Sequence, residues 1–212
     1  MLVVSGLAKR FGRKRVLEGV SFEGAPGELC ALVGDNGSGK STLLSILAGQ
    51  LEADAGDATL DGTSILGRSA PRSRIGFVPE AANPPGRMTG GQLLALVAAL
   101  KAAPVPDEAA IAALGLDAIL DQPIASLSLG QRRRLCLRAA LVGEPALLLL
   151  DEPSNGLDID GVAVLSKTLE DAATAGTIVV LATHDRELVA RLGARILELE
   201  RGSIRDQAAS TG

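Results

Sequence analysis

The chain has 212 residues, 47% of them hydrophobic and 22% charged, with a net charge of −4. That is enough for one large domain burying roughly 70% of its unfolded surface, and the acidic balance argues against broad nucleic-acid binding. The longest stretch free of charged residues is 13, short of the about 20 apolar residues a bilayer-spanning helix needs. The opening Met1-Leu2-Val3-Val4 carries no basic segment or cleavage site, so secretion is not expected. Cys30 and Cys136 read as small core residues rather than a disulfide.

In chain order, residues 2–5 and 16–22 read as short antiparallel strands, and residues 57–60 as another before the turn Asp61-Gly62. Between them an apolar strand at 30–33 runs into Gly34-Asp35-Asn36-Gly37-Ser38-Gly39-Lys40-Ser41-Thr42, a complete G-x-x-x-x-G-K-[ST] loop, followed by a helix expected over 41–48. The composition follows from the chemistry. Glycines let successive backbone N–H groups turn inward around phosphates, and the following helix adds its positive end. Lys40 reaches the β- and γ-phosphates, and the Ser41 hydroxyl is the expected Mg²⁺ ligand. The pattern predicts a nucleoside triphosphate site.

Residues 75–78 form the next strand, ending in Pro79-Glu80. From 87 to about 134 the chain turns helical and rich in alanine and leucine, broken by Pro104-Val105-Pro106 and Asp121-Gln122-Pro123. Two look-alike segments open helices in this arm. Thr89-Gly90-Gly91-Gln92 is read as a capping box before a helix over 93–101, and Ser128-Leu129-Gly130-Gln131 fits the same box before a helix over 132–142. Arg132-Arg133-Arg134 is read as a solvated face of that second helix.

Four consecutive leucines, Leu147 to Leu150, mark a strand buried on both faces, as in a parallel sheet. It ends in Asp151-Glu152, placed where α/β sheets put their ligands. Asp151 would hold Mg²⁺, and Glu152 would act as general base on the attacking water. Strands at 178–181 and 194–199 complete a parallel set with 30–33, 75–78 and 147–150, alternating with helices. Residues 206–212 are polar and small and are expected to be disordered. The only histidine, His184, follows the strand at 178–181.

Residues 127–131, with Gln131 20 positions before Asp151, resemble the signature motif of ATP-binding-cassette (ABC) ATPases, Leu129 standing where the family usually has a glycine. The Thr89 segment lies too far upstream, Gln92 being 59 positions before Asp151. The resemblance covers essentially residues 2–205 and extends to further positions. Ser154-Asn155-Gly156-Leu157-Asp158 is similar to the D-loop that crosses the dimer interface. His184, 33 residues after Asp151, matches the switch histidine; Phe11 matches the aromatic that stacks on adenine; Glu80 occupies the Q-loop position, where glutamine is usual.

What the resemblance implies is a P-loop NTPase fold: one α/β domain over 1–205, with a parallel sheet core, an antiparallel β subdomain and an inserted helical subdomain at about 87–134. It also implies that Ser128, Gly130 and Gln131 close over ATP held by the phosphate loop of a second copy or a related cassette, with Asp158 at the seam. Glu152 and His184 would be catalytic, and Ser41, Glu80 and Asp151 would hold the metal. The expected activity is ATP hydrolysis that drives a separate membrane-spanning permease, with the chain held at the cytoplasmic face of the membrane and no nucleic-acid partner. The forms Val78-Pro79-Glu80 and Ser154-Asn155-Gly156-Leu157-Asp158 look most like the exporter branch. A soluble ABC ATPase acting on a macromolecular partner is the alternative.

Overall fold

A six-stranded sheet with continuously buried central strands organises the protein. The structure, a computed structural model, describes residues 1–67 and 70–207. Five strands are parallel: β3 (Leu29–Val33), β6 (Ile75–Val78), β7 (Leu147–Asp151), β8 (Ile178–Ala182) and β9 (Arg195–Glu200). They lie in the order β9-β3-β8-β7-β6, and β10 (Ser203–Gln207) adds an antiparallel edge beside β9. All five residues of β7 and of β8 are buried, which explains the apolar runs Leu147 to Leu150 and Ile178 to Ala182: both faces are covered.

The two faces carry different cores. Leu147 and Leu149 pack with β3, helix α1 (Lys40–Leu47) and the β subdomain. Leu148 and Leu150 pack with the helical layer on the opposite face. That layer contains α2 (Gly90–Lys101), α4 (Leu129–Ala140), α5 (Ile159–Thr174) and α6 (Arg186–Leu192), and short α3 (Glu108–Ala112) completes the inserted arm. Each of the four leucines is 0% exposed, a burial that stabilises by about 1.5–3 kcal/mol per side chain.

The second sheet is antiparallel, in the order β2-β1-β4-β5, from β1 (Leu2–Phe11), β2 (Lys14–Gly24), β4 (Ala55–Leu60) and β5 (Thr63–Ser64). Its first two strands are far longer than the expected 2–5 and 16–22. Register shifts between Val4 and Leu7, Leu7 and Ala8, and Lys9 and Arg10 interrupt the alternation that sequence reading relies on. The hairpin therefore extends to Phe11, opposite Lys14.

Two further elements differ from expectation. Helix α4 begins at Leu129 rather than 132, because Ser128 caps it directly. Strand β10 runs through Asp206 and Gln207, paired with Leu197 and Ile196, so the expected disorder from 206 does not hold there. Residues 208–212 lie outside the described residues. Both cysteines are free thiols, and no helix among the described residues is long and apolar enough to cross a membrane.

Candidate functional site

Three adjacent parallel strands, β3, β8 and β7, deliver the chemistry at their C-terminal ends. The phosphate loop follows β3, Thr183 and His184 follow β8, and Asp151-Glu152 close β7. They meet in a cleft of about 670 Å³. Of the expected residues, Asn36, Gly37, Gly39, Lys40, Ser41, Thr42, Glu80, Asp151, Glu152 and His184 line it together, while Gly34, Asp35 and Ser38 complete the loop behind. Lys14, Val16 and Asn155 line it too; Asn155 lies in the D-loop segment, while no motif marked Lys14 and Val16 for the site, because they come from a hairpin whose full length was not legible.

Gly39, the N-cap of α1, has φ 112, and a Cβ there would lie 2.9 Å from Leu17 Cδ2 and 3.0 Å from the Val16 carbonyl. Glycine is thus required both by the backbone and by the loop's contact with β2. Lys40 is buried and donates through Nζ to the carbonyls of Gly34 at 2.6 Å and Asp35 at 3.1 Å. Two of its three donors fold the loop into a ring. Within that ring Ser38 Oγ is buried without a hydrogen-bond partner. An orphaned buried hydroxyl within a glycine-rich loop fits a phosphate oxygen.

The acidic pair divides its tasks. Asp151 is 5% exposed; burial raises its carboxyl pKa, a hydrogen bond with Ser41 opposes the rise, and the charges of Glu80 and Glu152 add to it. Glu152 sits at φ 47, an uncommon left-handed backbone for a side-chain-bearing residue. Its N–H donates to the Ala182 carbonyl at 2.8 Å. Its Oε2 accepts from Thr183 Oγ1 at 3.2 Å, from the His184 N–H at 3.4 Å and from His184 Nδ1 at 2.9 Å. The carboxylate is aimed by three donors on the neighbouring strand end.

Hydrogen bonding to Glu152 and its charge raise the His184 pKa above 6.5. The stabilisation from this pair is fully present below the ordinary imidazole value and fades as pH rises through the raised one. The His184 side chain is 69% exposed, so screening keeps that contribution small.

Other expected residues lie elsewhere. Phe11 is half exposed, outside the cleft lining and outside both cores, with Lys9 Nζ 5.6 Å from its ring centroid. Ser128 caps α4: its Oγ accepts from Gln131 N at 3.2 Å, and Gln131 Oε1 accepts from Ser128 N at 2.9 Å. Thr89 and Gln92 form the same box on α2, as expected. Gly130 lies against the Gly156 carbonyl, and Asp158 caps α5 by accepting from Gly161 N at 2.7 Å. The arginine run is not a solvated face. Arg133 is buried, reaching the carbonyls of Pro79, Glu80 and Glu152. Arg134 bonds the Leu114 carbonyl and Arg132 that of Leu127.

A phosphate loop, an acidic pair and a histidine on three neighbouring strand ends define a P-loop nucleoside triphosphatase. Residues 17–155 match the family model described as ABC transporter. The chain is 37% identical over 204 residues to the zinc import ATP-binding protein ZnuC of Cereibacter sphaeroides, covering 95% of this chain and 79% of that one. It is also 37% identical over 202 residues to the Nod factor export ATP-binding protein I of Paraburkholderia xenovorans, covering 92% of this chain and 66% of that one. An ABC transporter ATP-binding protein of Streptomyces coelicolor is 40% identical over 95% of this chain, which spans only 36% of that relative's length.

Among solved structures, the ATP-binding subunit of an ABC transporter superposes with a TM-score of 0.89 at 25% identity, over 99% of this chain and 90% of that one. A dimeric ATP-binding cassette in a post-hydrolysis state with ADP and phosphate superposes at 0.86, also at 25% identity, over the whole of both chains. The chain belongs to the ABC transporter family, and is an ATPase of the ATP-binding-cassette type.

Proposed function

We propose that the chain is the ATP-hydrolysing subunit of an ABC transporter, dimerising head to tail around ATP to drive a separate membrane-spanning permease at the cytoplasmic face. One observation carries most weight: the Glu152 carboxylate is held by Thr183 and His184 in the same cleft as Lys40 and Ser41. In that cleft Lys40 and the loop N–H groups bind the phosphates, and Glu152 takes a proton from the water that attacks the γ-phosphorus as the bond to ADP breaks. His184 hydrogen-bonds the γ-phosphate and orients the water.

The donors present suit Mg²⁺. Ser41 hydroxyl, Asp151 and Glu80 are hard oxygen ligands around one cleft, and among the described residues no cluster of three or more His, Cys, Asp or Glu forms a closed cage. A metal that keeps waters and takes phosphate oxygens fits such a sparse set. When bound, Mg²⁺ would offset the charge of the phosphates. Three nearby carboxylates make nucleotide binding steeply Mg²⁺-dependent, and Glu80→Gln should soften that dependence. Titrating Mg²⁺ against nucleotide affinity reads this directly; superimposable curves for the two proteins would mean Glu80 faces away from the metal.

Direction is proposed as export, on the Val78-Pro79-Glu80 and Ser154-Asn155-Gly156-Leu157-Asp158 forms; the relatives' names include both an importer and an exporter component. The transport reading is tested by co-isolation. A tagged Glu152→Gln chain, held with ATP in solubilised membranes, should bring down a multi-span protein in stoichiometric amount. Recovery of ribosomes or soluble protein alone would favour the soluble ABC ATPase instead.

A further inference from the structure

Arg133 is a cation in an unusual position. It lies on α4 just inside the signature, is 8% exposed, and makes no ion pair among the described residues. Among the described residues its hydrogen bonds all go to main-chain carbonyls, and its Nε is buried without a partner. Nη1 donates to Pro79 at 3.3 Å and to Glu80 at 2.8 Å, and Nη2 donates to Glu152 at 2.8 Å.

These acceptors follow the C-terminal ends of β6 and β7, which are adjacent and parallel. One planar fork therefore joins the two strand ends that carry the site's outlying and central glutamates. Burial opposes the charge, while the carboxylates of Glu80, Asp151 and Glu152 support it. A guanidinium stays protonated in proteins, so the cation remains in place and its rigid geometry fixes the distance between the loops.

The bond to Glu152 adds a side-chain donor, the shorter of two, to a carbonyl that also accepts from the Asn155 N–H. Glu152 holds φ 47, and a residue keeps such a conformation only when its surroundings over-determine it. The Ala182 carbonyl fixes its N–H, and its carbonyl accepts from Arg133 at 2.8 Å and, within the turn, from the Asn155 N–H at 3.2 Å. Rotation of that peptide would swing the carboxylate away from Thr183 and His184.

We propose that Arg133 is a positioning residue for hydrolysis: it clamps the Glu152 backbone to the Glu80 loop, so that the aim of the general base depends on where the helical arm holds α4. This rests on Glu152 being the base. The arm then communicates with the base through a side chain as well as through the Glu80 loop. Any shift of α4 relative to β7 pulls on the Glu152 carbonyl before it disturbs the phosphate loop.

The test uses the full-length chain with Arg133→Gln and Arg133→Lys, each also in the Glu152→Gln background. Lysine keeps the charge but lacks the two-pronged fork. Both single variants should lose on the order of 10- to 100-fold in kcat, the scale of a small misplacement of a reacting group, with the KM for ATP within about 2-fold of the parent, since Lys40 and its loop are untouched. In the Glu152→Gln background the same changes should leave the residual single-turnover rate unchanged. Parental kcat in the lysine variant, or a loss of equal size in both backgrounds, would overturn the clamp. The base assignment is judged separately, by Glu152→Gln alone. Should Arg133→Gln fail to bind nucleotide, the lysine variant decides the matter by the same two readouts.

Discussion

Glutamine at position 152 is expected to lower ATP turnover by roughly 10²–10⁴, about 3–5 kcal/mol of barrier, with nucleotide affinity near that of the parent. The amide oxygen can still accept from Thr183 Oγ1 and His184, which hold Oε2 in the parent. It cannot accept a proton from water. The phosphates are expected to be held by other groups, from Gly34 to Ser41, so binding and chemistry should separate at this residue. Single-turnover hydrolysis alongside a fluorescent-nucleotide titration measures both. A rate equal to the parent's would remove Glu152 from the mechanism, and a parallel loss of affinity would make it a structural residue.

The second large effect concerns assembly. Ser128, Gly130 and Gln131 lie outside the lining of their own chain's cleft, at the start of α4, and are expected to act on nucleotide held by another copy. Alone, Lys40→Ala spoils both loops of a dimer and Ser128→Arg spoils both signatures. Mixed, they rebuild one intact site, with its loop from the second protein and its signature from the first. With Glu152→Gln in both to prevent turnover, light scattering with ATP should show the mixed pair shifting from monomer to dimer while neither protein shifts alone. Ser128→Arg dimerising as well as its parent would confine residues 128–131 to the helix-capping bonds they make within the chain.

Much of the site was legible because its chemistry restricts composition. Only a glycine-rich run can bring N–H groups around phosphate, and only doubly covered strands tolerate Leu147 to Leu150. Both capping boxes were readable because they close over four residues. What escaped depends on long-range geometry. Arg133 looks like its neighbours in a basic triplet, and nothing local says that its side chain turns inward to meet Pro79, Glu80 and Glu152. The hairpin carrying Phe11 and Lys14 was read short because bulges shift which face its residues occupy. Strand β10 was read in part as tail because Asp206 and Gln207 are polar, and their place is set by pairing with β9.

The leucine at 129 leaves a mark on how this chain can diverge. It lies against bare Gly156, where a Cβ would come within 2.3 Å of Leu129 Cδ2, and Gly156 itself has φ 77. Two separate restrictions fall on one residue, and they lift in different ways. If drift replaces Leu129 by glycine, the collision disappears and only the left-handed backbone remains to be satisfied, which asparagine tolerates. While Leu129 persists, no side chain fits at 156 without displacing it. Leu129 is exposed and its Cδ2 is the far end of a flexible side chain, so it can swing aside toward solvent at small cost, and the restriction that stays at 156 is the left-handed backbone.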